Sequence, residues 1–256
     1  ARTLNTYVET LQAEPGIAIT SAQRVDGHVR IAGFRDPLAR SPEELLIRRG
    51  LLPAELRFEP FYSLDPRLAE QRVRRSLRPP RGVTLTLHDG VLRATGIAPH
   101  SWIEQTGMLA RTLPAVERYE DRGLVDEAAI QAQRAAAALE TTEIHFAPGS
   151  TALTTSTVIG HAASLLRELT EAAATAQLTF CVSVLGHADP SGTMASNHRL
   201  SQARAVSVVN GLSASGLRPG HLRPIGAGMW MDAGSEARAR SATFRVDLGS
   251  RCPEGR

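Results

Sequence analysis

The sequence predicts an α+β chain: a tandem pair of αββαβ units followed by a βαβαββ α/β sandwich. Three observations carry this. A helix, a strand, an Asp-Gly turn and a second strand recur twice within residues 1–122. From residue 141 onward, strands alternate with long helices that carry an apolar stripe. Between the two regimes lies a charged, then alanine-rich stretch that reads as a helical connector, residues 123–140.

The repeats come first in the chain. Residues 15–36 read PGIAITSAQRVDGHVRIAGFRD and residues 80–99 read PRGVTLTLHDGVLRATGIAP. In each, an alternating strand runs into Asp-Gly (Asp26-Gly27, Asp89-Gly90), and a second strand ends at a glycine (Gly33, Gly96). Asp-Gly between alternating runs is a strong hairpin signal. Amphipathic helices precede the hairpins at Leu4–Ala13 and Ala69–Leu77. The first unit, 1–64, continues with a helix at Pro42–Arg49 and a strand at Arg57–Tyr62, in a stretch interrupted by five prolines. The second, 65–122, continues with a helix at Trp102–Leu113 and a strand at Val116–Tyr119. Trp102 reads as a core residue.

The third part spans 141–249, with a tail at 250–256. TEIHFAPGS is a strand ending in Pro-Gly, Leu153–Ala176 a helix, LTFCVSVLG a strand and Asn197–Leu212 a helix; HLRPIGAG and SATFRVDLG are the last two strands. On the second helix Ala205, Val208, Val209 and Leu212 form the sheet-facing stripe. Extended backwards, that stripe passes through Arg204, Ser201 and Asn197. An unpaired arginine inside a core is costly. The helix start is therefore expected to emerge at the end of the sheet, into a cleft lined by the loop Gly186–Ser196. Asp189 and Arg204 would share that space, a carboxylate and a guanidinium complementary to a zwitterion such as an amino-acid end, with Ser191 and Asn197 completing the hydrogen bonds. A plainer reading is that Asp189 caps a turn or pairs with Arg204.

The run GHADPSG…N..LSQARA resembles the signature of the OmpA-like C-terminal domain, matching it at Gly186, His187, Asp189, Gly192, Asn197, Leu200, Ser201, Arg204 and Ala205. IHFAPGSTAL resembles that family's first strand and loop, and GAG with ARSATFRVDL its closing segment. The resemblance covers residues 141–249. It implies non-covalent binding of peptidoglycan, with Asp189 and Arg204 holding the diaminopimelate of the stem peptide. Ser191, Asn197, Leu200 and, from the last strand, Arg240 would support them. Ala188 replaces the family's threonine, and Ala239-Arg240-Ser241 keeps one arginine of its Asn-Arg-Arg. The N-terminal units resemble BON domains, αββαβ modules of envelope proteins, which implies phospholipid or envelope proteins as further partners. A chain so assembled is expected in the periplasm, associated with the outer membrane. The alternative is an envelope protein-interaction scaffold whose OmpA-like domain no longer binds cell wall.

Composition excludes other classes. At 42% hydrophobic and 4% aromatic, the cores are built of Leu, Val, Ile and Ala. The chain has no lysine, and its +3 net charge rests on arginines that read as scattered, not clustered for nucleic acid. No apolar run is long enough to span a membrane. The opening ARTLNTYVETL, already helical and without Met, reads as a piece of a longer protein. His187, Asp189 and Ser201 hint at a hydrolase, but Ser201 lies within a helix and not on a nucleophile elbow. His145, His161, His187 and His198 fall on different elements, so neither metal nor cofactor is expected, and the chain is read as no enzyme. Trp230, in GMWMDAG, is either a partner contact or folded on the core. Cys181 and Cys252 are either a disulfide or a buried thiol and an exposed one.

Overall fold

The computed structural model describes residues 3–153, 156–215, 219–229 and 239–253; Trp230 lies outside them. The chain divides into two compact units, Ala1–Val125 and Asp126–Arg256.

The first unit contains both repeats. Their order is α1 (Leu4–Gln12), β1 (Ile17–Val25), β2 (His28–Arg35), α2 (Pro42–Arg48) and β3 (Glu55–Pro60), then α3 (Pro66–Leu77), β4 (Val83–His88), β5 (Val91–Ala98), α4 (His100–Leu109) and β6 (Arg118–Asp126). Each repeat closes its own three-stranded sheet, β1-β2-β3 and β4-β5-β6. The hairpins turn where Asp-Gly places them, between Val25 and His28 and between His88 and Val91. All four turn residues have positive φ, the backbone a two-residue type I′ turn requires. Tyr7, Leu11, Val29, Ile31 and Leu46 fill the first core; Val73, Leu77, Leu85 and Leu92 fill the second. Trp102 packs against the second and donates Nε1–H to the Leu77 carbonyl at 2.8 Å.

One strand differs from the sequence reading. The last strand of the second repeat runs to Asp126, where a helical connector was expected. Tyr119 and Leu124 pack into the core of that repeat. A Cβ on Gly123 would come within 2.6 Å of the Thr95 side chain, so the strand lies close over its neighbour. The polar residues between them misled the periodicity because they face outward from a half-exposed sheet.

The repeats are welded by charge. Asp36, at the end of β2, is fully buried and pairs with Arg72 of α3. Its carboxylate also accepts from the Leu38 and Ser63 amides at 2.9 and 2.7 Å. Arg72 further donates to the Ser63 carbonyl and lies over the Tyr62 ring.

The second unit orders α5 (Glu127–Glu140), β7 (Ile144–His145), α6 (Ser156–Thr175), β8 (Phe180–Ala188), α7 (Met194–Ala214), β9 (Leu222–Met229) and β10 (Ser241–Leu248). Its sheet runs β7-β10-β8-β9, with β10 antiparallel to both neighbours and β8 parallel to β9. Ile159, Ala162, Leu166 and Leu169 of α6 and Ala205, Val208 and Leu212 of α7 cover it, with Ala132, Ala136 and Leu139 of α5 in the same core. β8 reads FCVSVLGHA and is buried at every position but Leu185, as a central strand under helices should be. Cys181 of β8 and Cys252 of the tail form a disulfide across a sequence separation of 71 residues.

Two stability predictions follow from these ties. Arg72→Met leaves Asp36 as a buried charge without its partner, and should lower the stability of the first unit by about 3–5 kcal/mol in urea denaturation. Reduction of Cys181–Cys252 frees a long loop in the unfolded chain, and should lower the second unit's stability by about 2–4 kcal/mol in the same experiment.

Candidate functional site

The site lies where β8 ends and α7 begins. Gly186 lets the two elements meet: a Cβ there would come within 2.0 Å of the Ser201 carbonyl oxygen. Thr193 caps α7, its hydroxyl accepting from the Ser196 amide at 3.2 Å. Asn197 is buried and donates back to the Gly192 carbonyl at 3.3 Å. Ser201, also buried, donates to the His198 carbonyl at 2.9 Å and accepts from the Gly228 amide at 3.1 Å, which ties β9 to the helix. Its hydroxyl is thus engaged inside the fold. Leu200 is half-buried.

The apolar stripe of α7 continues through Arg204, Ser201 and Asn197 as the spacing requires, all three buried. Among the described residues, the Arg204 side chain does not open into a cleft. Arg204 is 0% exposed. Its Nε donates to the Ser150 carbonyl at 3.0 Å, and its two terminal nitrogens donate to the carbonyls of His187 at 2.7 Å and Ala147 at 3.3 Å. The Phe146 ring lies 5.2 Å below the guanidinium. Backbone carbonyls solve the problem that a cleft was expected to solve. The guanidinium holds the turn after β7 to the end of β8. Nothing in the residues of that turn, Ala147 to Ser150, marked it as an arginine receptor, because the acceptors are main-chain atoms.

Asp189 stands just beyond, half-exposed. Its carboxylate accepts from the hydroxyl of Ser191 and, at 3.2 Å, from the Ser191 amide. The Ser191 hydroxyl foremost, then the Ser191 amide and the charges of Arg240 and Arg204, hold its pKa below the ordinary carboxylate range, against the opposing effect of partial burial. Among the described residues no direct ion pair joins Asp189 to Arg204. Burial pulls Arg204 below its ordinary value, while Asp189 acts against that. Arg240 is only half-buried. It sits two residues before Ala242, which pairs with Gly186, so the register sets it beside the end of β8. Its carbonyl accepts from the Phe146 amide at 2.8 Å. Among the described residues at this end of the sheet, Asp189 and Arg240 are charged side chains that reach solvent, while Arg204 is enclosed behind them.

His187 follows Gly186 on β8 and so points to the face of the sheet away from α7. Its Nε2 lies 3.0 Å from the Thr243 hydroxyl, and the side chain is buried. The sequence places His187 in the signature but does not reveal Thr243 as its partner. His145, His161 and His198 lie on β7, α6 and α7. Among the described residues no three His, Cys, Asp or Glu are grouped to hold a metal ion.

Two predictions rest on this geometry. Arg204→Met removes the donors to three enclosed carbonyls and should cost the second unit at least about 3 kcal/mol, read by thermal or urea unfolding. Burial holds the His187 imidazole below its ordinary 6.5, with Glu143 opposing. The unfolded chain then takes up this proton first. The stabilising contribution is complete above 6.5 and is lost as pH falls through the depressed folded value. The second unit's melting temperature should fall as pH drops below about 6.5, and less steeply in His187→Asn.

The OmpA family model matches residues 145–243. No curated protein matched the chain. Among solved structures, the peptidoglycan-associated lipoprotein from Burkholderia pseudomallei is similar at 20% identity and a TM-score of 0.35, over 42% of this chain and 91% of that one. The OmpA-like domain of FopA1 from Francisella tularensis is similar at 18% and 0.34, over 43% and 74%. The C-terminal domain of Helicobacter pylori MotB is similar at 18% and 0.34, over 43% and 85%. The family match takes in the whole signature from Gly186 to Ala205, and residues 145–243 form an OmpA-like domain.

Proposed function

We propose that the chain binds peptidoglycan non-covalently through its OmpA-like domain and ties a cell-envelope protein or complex to the wall, making and breaking no bond. The observation that carries this reading is the placement of Asp189. It is an ionised carboxylate held by Ser191 at the open end of the sheet, flanked by the charges of Arg240 and Arg204. A carboxylate beside a reachable guanidinium suits the zwitterionic end of a diaminopimelate-containing stem peptide. Asp189 would take the ammonium and Arg240 the carboxylate. Arg204 would position the loop and add charge from below. Asn197 fixes the loop, Ser191 orients Asp189, and Leu200 offers an apolar edge. The location that fits is the periplasm, on the outer-membrane side. The N-terminal unit, with its two BON-like αββαβ repeats, would act as an adaptor toward phospholipid or envelope proteins.

A second reading has its own support. Arg204 is entirely enclosed and already satisfied by three carbonyls. An OmpA-like domain that has become an interaction scaffold would keep such an arginine for stability alone.

Co-sedimentation with isolated peptidoglycan separates the two. Charge-assisted hydrogen bonds to a partly desolvated ligand contribute about 1.5–3 kcal/mol each. Asp189→Asn and Arg240→Ala should therefore each weaken binding about ten- to hundredfold with unchanged circular dichroism. A parent chain that stays in the supernatant, or variants that sediment as well as the parent, would select the scaffold.

A further inference from the structure

Residues 66–81 hold six arginines and a single acid, Glu70. That is a formal +5 within a chain whose whole charge is +3, which leaves the remainder at −2. Six of the chain's 29 arginines are thus clustered on α3 and the turn after it. Arg72 points inward and is neutralised by Asp36. Arg67, Arg74, Arg75, Arg78 and Arg81 are all exposed. Arg67 and Arg74 are seven residues apart, so they share one side of the helix, with Glu70 and Gln71 between them; Arg78 follows as the left-handed C-cap. Arg67, Glu70, Gln71, Arg74 and Arg75 line a shallow crevice of 410 Å³.

Among the described residues, none of these five exposed arginines stands within ion-pair distance of a carboxylate. Glu70 pairs with none of them either, although Arg74 lies one turn on. Arg74 instead reaches toward the Leu85 carbonyl, at 3.5 Å. The face presents cations with no counter-charge of their own.

We infer that the exposed face of α3 is a docking surface for an acidic helical segment of a partner protein, one that carries a single basic residue among its carboxylates. This goes beyond wall binding, which belongs to the other unit. Guanidinium forks take carboxylates with two parallel bonds. Two features favour a protein over an anionic membrane. Apart from Pro66 at its first position, the face has no apolar side chain to insert among lipids. Glu70, set among the arginines, is repelled by a uniformly negative surface, whereas a discrete partner can set a cation against it.

The test uses the full chain and two labelled peptides of about 18 residues, long enough to turn helical on binding. One carries glutamate at three- and four-residue spacing. The other is identical but for one central lysine. Fluorescence anisotropy is read at low and at physiological salt. The lysine-containing peptide should bind about threefold more tightly despite its lower charge, the size of one exposed ion pair. Arg74→Ala/Arg75→Ala should weaken it about tenfold, and Glu70→Arg should reverse the preference between the peptides. The proposal is overturned if neither peptide binds, if the all-glutamate peptide binds more tightly to the parent chain, or if Glu70→Arg leaves the preference unchanged. Vesicles of phosphatidylcholine with phosphatidylglycerol serve as a third probe. Arg74- and Arg75-dependent binding to them that rises in Glu70→Arg would assign the face to a membrane instead.

Discussion

Arg204 is the point on which the second unit turns. A guanidinium removed from water has five N–H donors to satisfy and a charge to offset, and leaving either undone costs several kcal/mol. Here no carboxylate is brought in. Main-chain carbonyls of Ala147, Ser150 and His187 surround the group, and the face of Phe146 lies beneath it. The arrangement is possible only because α7 lies directly on β8, which the missing side chain of Gly186 permits. In return, the turn after β7 and the end of β8 are fixed to one helix. The loop that holds Asp189 starts from that fixed point, so the acid is presented to solvent on a braced support.

The first unit meets the same difficulty in another way. Arg72 is also drawn inside, but its charge is met by Asp36, whose remaining lone pairs accept backbone amides. One partner comes from the first repeat and the other from the second. The pair makes a single unit of two modules that each have their own sheet and core. With Arg72 turned inward, the other arginines of α3 are left on the outer face, unneutralised. The weld and the basic surface are two sides of one helix.

The parts of this fold legible in the sequence were those written in local pattern. Asp26-Gly27 and Asp89-Gly90 located both hairpins to the residue, because positive φ at two adjacent positions admits few other residues. The α7 stripe gave the orientation of Asn197, Ser201 and Arg204, since helical geometry fixes which side chains share a face. What failed was any feature whose partner is distant or is main chain. The stripe showed that Arg204 points inward, yet not that carbonyls 54 and 57 residues away would enclose it. Asp36 and Arg72, 36 residues apart, carried no sign of their pairing. The final strand of the second repeat was hidden by its outward polar residues. The two cysteines could be counted but not joined until β8 and the tail were seen side by side.

The proposed function divides the labour: Arg204 braces the loop from inside, and Asp189 and Arg240 are proposed to meet the ligand. The measurement that tests it most directly is the NMR signal of the Arg204 side-chain Nε–H during titration with diaminopimelate. The account predicts a slowly exchanging resonance that barely moves, while the Asp189 carboxyl carbon and the Arg240 side chain shift together with saturation. Fast exchange of the Arg204 Nε–H, or a large shift of Arg204 with none at Arg240, would contradict it.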